Sequence, residues 1–84
     1  MVRVAVWVDA ETELICGYAS LRGQDLVGSA SSFSALAFAM EAQLSFVLPA
    51  LGCFEVGYLH LGCLRSPIPS SVLRQALARA RIVA

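Results

Sequence analysis

Valines at 2, 4, 6 and 8 alternate with Arg3, Ala5, Trp7 and Asp9. A period of two with β-branched residues on one side predicts a strand, because successive side chains leave a pleated backbone on opposite faces. The polar run Asp9-Ala10-Glu11-Thr12 suits a short hairpin connection. Leu14 to Ser20 is then expected to return as the antiparallel partner, with Cys16 and Tyr18 on one face and Ile15 and Gly17 on the other. Leu21 to Ala30, punctuated by Gly23 and Gly28, is expected to form a loop. Ser29, Ser31 or Ser32 can cap the helix that follows, since a hydroxyl there accepts from an unpaired backbone N–H. Phe33, Leu36, Met40, Leu44 and Val47 recur at helical spacing, Ala35, Ala37, Ala39 and Ala42 favour helix, and Pro49 ends it. Phe38, Phe46 and Leu48 make its other faces apolar too, which predicts burial on more than one side.

Phe54 to Leu64 favours strand through Tyr58, Leu59 and Leu61, with Gly57 marking a bend or bulge, so one strand or two short ones fit equally. Pro67 and Pro69 stiffen the next link, and Ser70 or Ser71 caps a last helix whose packing face is Val72, Leu73, Ala76, Leu77 and Ala80. The order strand, strand, helix, strand (one or two), helix predicts a single α+β domain over residues 1–84. Its expected form is a small antiparallel sheet with two helices packed on one face. Trp7 then falls on the open face, as an interface residue or packed under a loop.

Hydrophobic residues make up 58% of the 84 positions and charged residues 14%. That excludes a disordered chain, and so much apolar surface on one small domain suggests a homodimer. The net charge of zero gives no global attraction to nucleic acid or anionic membrane, and direct DNA binding is not expected. All six acids precede residue 56, whereas Arg65, Arg74, Arg79 and Arg81 follow residue 64. The basic C-terminal end suits a solvated helix face, or contact with ribosomal RNA. Cys16, Cys53 and Cys63 form an odd set without CxxC spacing, which suits reduced, buried thiols in a cytoplasmic protein. The N-terminal run lacks the pattern of a signal peptide. Phe33 to Gly52 is nearly long enough to span a bilayer, but Glu41 and Gln43 fall in its middle. A carboxylate at mid-bilayer costs roughly 2.5–3.5 kcal/mol, so no membrane segment is expected.

Gly17-Tyr18-Ala19, the glycine-containing loop after it, Asp25-Leu26-Val27-Gly28-Ser29-Ala30 and Ser34-Ala35-Leu36 together resemble the ribosomal-processing cysteine proteases. Members of that family carry Gly-His-Ala at a strand end, then Asp-Ile-Val-Cys-Ala-Ala entering a long helix. The match covers roughly residues 1–48. It implies two helices over a small antiparallel sheet and a histidine–cysteine dyad. In this chain those two positions hold Tyr18 and Gly28.

A thiol acts as a nucleophile only as thiolate, which a neighbouring imidazole or helix N-terminus favours. Tyrosine titrates near pH 10 and is a poor general base at neutrality, and glycine offers no side chain, so the dyad is absent. Three residues stand as fallbacks: Cys16, two positions before Tyr18 on the same strand face; Ser29 at the expected helix entry; and His60, the sole histidine. A buried cysteine and a sheet-face histidine with separate partners are the plainer reading of Cys16 and His60, and self-capping is the plainer reading of the serines. His60 and Cys63 lack a third and fourth metal ligand; no metal or cofactor is expected. Tyr18, Gly23, Asp25, Gly28 and Ser29 remain as a loop that can receive a peptide or anion at a helix N-terminus.

The expected function is a catalytically inactive, cytoplasmic member of the family. The resemblance implies a partner in the large ribosomal subunit, or in the N-terminal segment of one of its proteins. The alternatives are an active protease with a relocated nucleophile, and a small oligomeric structural domain.

Overall fold

The computed structural model describes residues 2–48 and 55–83. Four strands and two helices follow in the order β1 (Val2–Asp9), β2 (Ile15–Leu21), β3 (Gln24–Ala30), α1 (Phe33–Val47), β4 (Val56–Leu64) and α2 (Ser70–Val83). This is the α+β class expected, with both helices where the periodicity placed them. The strands lie in the order β3-β2-β1-β4. β1–β2 and β2–β3 pair antiparallel, and β1–β4 pair parallel.

Three details differ from expectation, each for a physical reason. The segment expected as a loop is strand β3, joined to β2 by a two-residue turn in which Arg22 (φ 52°) and Gly23 (φ 78°) are both left-handed. Such a turn matches the right-handed twist of the strands it connects. Gly28, Ser29 and Ala30 are too small to show the alternation, yet Leu26 and Ala30 pack toward α1 while Asp25, Val27 and Ser29 border the other face.

The sheet is mixed, because α1 returns the chain to the end where β3 began. At about 1.5 Å per residue its 15 residues travel roughly 22 Å, so β4 leaves in the direction of β1 and β3. Residues 56–64 form one strand, whose register slips between Val6 and Val8 of β1; Gly62 there has φ 82°.

The two helices cover opposite faces. α1 buries Leu36, Met40 and Leu44 against Val4, Val6, Ala19 and Leu26. α2 buries Leu73 and Leu77 against Ala5, Trp7 and Tyr18. Four consecutive residues of β1, Val4 to Trp7, are therefore buried, as in any strand covered on both sides. Trp7 lies under α2 on a covered face. Val72, expected to pack, is half exposed.

Local chemistry fixes the ends of these elements. Asp9 Oδ1 accepts the Glu11 N–H at 3.1 Å and Oδ2 accepts the Thr12 hydroxyl at 3.0 Å, closing the β1–β2 connection as an Asx turn. Ser32 caps α1 by accepting the Ala35 N–H at 3.2 Å. The expectation that Pro49 stops this helix, and the environment of Cys53, lie outside the described residues. Of the other two thiols, Cys16 is half-buried and Cys63 exposed; the register slip at Gly62 leaves Cys63 on an uncovered sheet edge, so the expected burial does not hold for it.

Candidate functional site

β2 and β3 present Cys16, Tyr18, Asp25, Val27 and Ser29 toward the side that α2 covers only in part. Together with Trp7, Ile68, Ser70 and Leu73 they line a groove of about 420 Å3. α2 turns Leu73 onto Trp7 and Tyr18, and the groove is the space left where the helix stops short of β3. Val27, 63% exposed, stands on its outer wall.

Tyr18 is 1% exposed and its hydroxyl donates to Asp25 Oδ1 at 2.6 Å. The antiparallel register sets Asp25 opposite Ser20, one step along the ladder on the same face. Burial and then the bond to Asp25 push the Tyr18 phenol above its ordinary value. On the other face Tyr58 donates to Glu41 Oε2 at 2.5 Å, and burial and that carboxylate raise its phenol further. The native fold thus holds both protons more tightly than the unfolded chain does. Their contribution to stability is complete below the ordinary tyrosine pKa of about 10 and is lost as pH rises beyond it. Urea midpoints are therefore expected to fall steadily above about pH 10, and Tyr58→Phe with Tyr18→Phe to flatten that fall.

The five loop residues, Tyr18, Gly23, Asp25, Gly28 and Ser29, do not converge on a helix N-terminus. Gly23 sits in the β2–β3 turn, the others lie within strands, and the helix begins at Ser32. Gly28 pairs with Gly17 in the ladder, and both open toward α1. A Cβ at Gly28 would meet Met40 Sδ at 3.2 Å, and one at Gly17 would meet Leu36 Cδ1 and Met40 Cγ, each at 3.2 Å. These glycines let α1 approach the sheet. Tyr18 leaves β2 on the opposite face, so side chains at 18 and 28 are separated by the sheet itself.

The fallback residues are also apart. Cys16 lines the α2-side groove. His60 pairs with Val6 and packs against Phe33, ring centroids 5.5 Å apart, beside α1. A Cys16–His60 dyad would have to reach through β1. Burial and the nearby Asp9 carboxylate push the Cys16 thiol up, the opposite of what an attacking thiolate needs. Ser29 is exposed within β3, short of the helix entry. Among the described residues no group of three or more His, Cys, Asp or Glu converges as a metal site, and no helix is long and apolar enough to cross a membrane.

Sequence reasoning placed Cys16, Tyr18, Asp25 and Ser29 near one another correctly and missed Trp7, Ile68 and Leu73 as their companions. The usable signal was the apolar pair Leu73 and Leu77 at helical spacing, which needed a sheet face, and Ala5-x-Trp7, which supplied one. Trp7 matters chemically because its indole nitrogen is buried and meets no hydrogen-bond partner among the described residues. A second hollow of about 230 Å3 continues along α2, lined by Arg3, Ser20, Leu21, Arg74 and Leu77. Arg74 there donates to Ser70 at 3.3 Å. Searches for similar proteins matched no family model, no curated protein and no solved structure.

Proposed function

We propose that this domain is a non-catalytic, peptide-binding relative of the ribosomal-processing cysteine proteases, seating an extended segment of a partner between β3 and α2. The observation that carries the reading is the buried Trp7 indole N–H without an acceptor, on the wall of an apolar groove. An unsatisfied buried donor costs about 1–3 kcal/mol, and a peptide carbonyl entering the groove would satisfy it. β3 supports this as an edge strand: its free backbone groups can pair with an added strand whose alternate side chains drop into the groove. The arginines beyond Ser20 favour an acidic residue at one end of that peptide.

The resemblance of Gly17–Ala19 and Asp25–Ala30 to the family motifs names the partner: the N-terminal segment of a large-subunit ribosomal protein, free or on the subunit, in the cytoplasm. The absence of any base beside Cys16 or Ser29 favours binding without cleavage. The apolar excess of the chain favours a homodimer.

The test is titration of labelled protein with that N-terminal segment, following the indole N–H of the sole tryptophan by NMR. A downfield shift of this resonance is expected. Co-sedimentation with large subunits is expected too, and is lost in Val27→Arg, which fills the groove from an exposed position. An unmoved indole resonance together with no retention on the subunit defeats the reading; a cleaved peptide defeats its non-catalytic part.

A further inference from the structure

The outer surface of α1 is the largest apolar feature that the fold leaves uncovered. With Leu36, Met40 and Leu44 facing the sheet, the opposite side of a 3.6-residue helix carries Ala35, Phe38, Ala42, Ser45 and Phe46. Phe38 is 79% exposed and Phe46 87%. The polar residues of the same helix are drawn away from this stripe. Glu41 is held by the Tyr58 hydroxyl, and Gln43 donates through Nε2 to the Val27 carbonyl at 2.8 Å. What remains is uncharged along its length.

The stripe is also self-complementary. Phe38 and Phe46 stand four residues to either side of Ala42, so they are about 12 Å apart along the axis with a small residue midway. When two copies cross antiparallel at Ala42, Phe38 of each meets Phe46 of the other, the reciprocal pattern a two-fold axis requires. Ala42 lets the backbones approach. An aromatic ring buries about 150–250 Å2, so the two rings supply roughly 300 Å2 of the ~800 Å2 per partner that a stable interface needs. Ala35, Ala42 and Ser45 extend the same surface.

We propose that the outer face of α1 is the contact surface of a symmetric homodimer, crossed antiparallel about Ala42. This rests on the self-association reading above and assigns its surface. The groove beside Trp7 lies on the other face of the sheet and stays open in such a dimer.

Sedimentation equilibrium at micromolar concentration is expected to give twice 8.9 kDa for the native chain and 8.9 kDa for Phe46→Asp and Phe38→Asp. Both sites are solvent-exposed in the protomer, so circular dichroism should stay unchanged. In a background with Cys53 and Cys63 replaced by serine, Ala42→Cys is expected to form a disulfide-linked dimer under mild oxidation. Ser34→Cys, two turns from the axis, should not. A native chain that stays monomeric overturns both the self-association reading and its surface. A native dimer that persists in Phe46→Asp, or that links through Ser34→Cys and not Ala42→Cys, overturns the surface alone.

Discussion

Restoring the family residues in the double variant Tyr18→His, Gly28→Cys is expected to yield a less stable protein with no protease activity. The two positions lie on neighbouring strands but on opposite faces: Tyr18 is packed with Ala5, Trp7, Leu73 and Leu77, while position 28 opens toward Met40 and Leu36. A new imidazole and a new thiol would be kept apart by the sheet, and neither could lower the other's pKa. The structural effects are large. A Cβ at 28 starts 3.2 Å from Met40 Sδ, and the sulfur beyond it must enter space filled by Met40 and Leu36, both fully buried. Overpacking of this kind costs about 1–3 kcal/mol. Replacing Tyr18 removes aromatic volume and the 2.6 Å bond to Asp25, a further cost of roughly 2 kcal/mol. For a domain this small each kilocalorie moves Tm by about 4–8 °C, so a fall of roughly 15 °C or more is expected. Thermal denaturation followed by peptide cleavage and iodoacetamide labelling at neutral pH checks all three statements. Rapid labelling of the new cysteine with cleavage would show that the two side chains meet.

Leu36→Ala is expected to lower stability by about 3 kcal/mol, since burial without room to collapse sets the cost of a large-to-small change. Leu36 is fully buried between α1 and the sheet. Its Cδ atoms lie against the α carbon side of Gly17, where an added Cβ would meet them at 3.2 and 3.3 Å. Gly17→Ala alone sets two effects against each other. It reduces the freedom of the unfolded chain, worth about 0.4–1 kcal/mol, but it drives a methyl into Leu36 and Met40, neither of which has space to move. Overpacking wins, and a net loss of about 1 kcal/mol is expected. In the Leu36→Ala background the obstacle is gone and Met40 can turn, so Gly17→Ala should become neutral or stabilising. A double-mutant cycle by urea denaturation is expected to give a coupling of at least about 1 kcal/mol. Additivity of the two changes would mean that the helix does not rest on these glycines. Against a total stability of about 4–12 kcal/mol for a chain of this size, Leu36→Ala also shifts Tm by roughly 12–24 °C.

The same contact explains where sequence reading succeeded and where it failed on the site. Cys16, Tyr18, Asp25 and Ser29 share one face because the side-chain period of a strand is two, which is readable without a fold. Gly28 was grouped with them through its place in a motif. In the ladder it pairs with Gly17 and belongs to the other face. A glycine shows no direction in a hydrophobic pattern, so its face becomes visible only when a helix is seen to press on it. Trp7 carries a parallel lesson. Its alternation partners Arg3 and Ala5 read as an open surface, and the second helix that covers it is distant in sequence.

Alternating valines, the 3-4 spacing of Leu36, Met40 and Leu44, and the serine caps determined by themselves that the chain has a sheet and two helices, and nearly where each helix begins. These are local properties, set by backbone geometry within a few residues. Which face each helix covers, the parallel addition of β4 beside β1, the strand hidden in Gln24–Ala30 and the separation of Cys16 from His60 were decided only by tertiary structure. Each depends on which of two apolar sheet faces a helix fills first, and that choice is made by contacts among residues far apart along the chain.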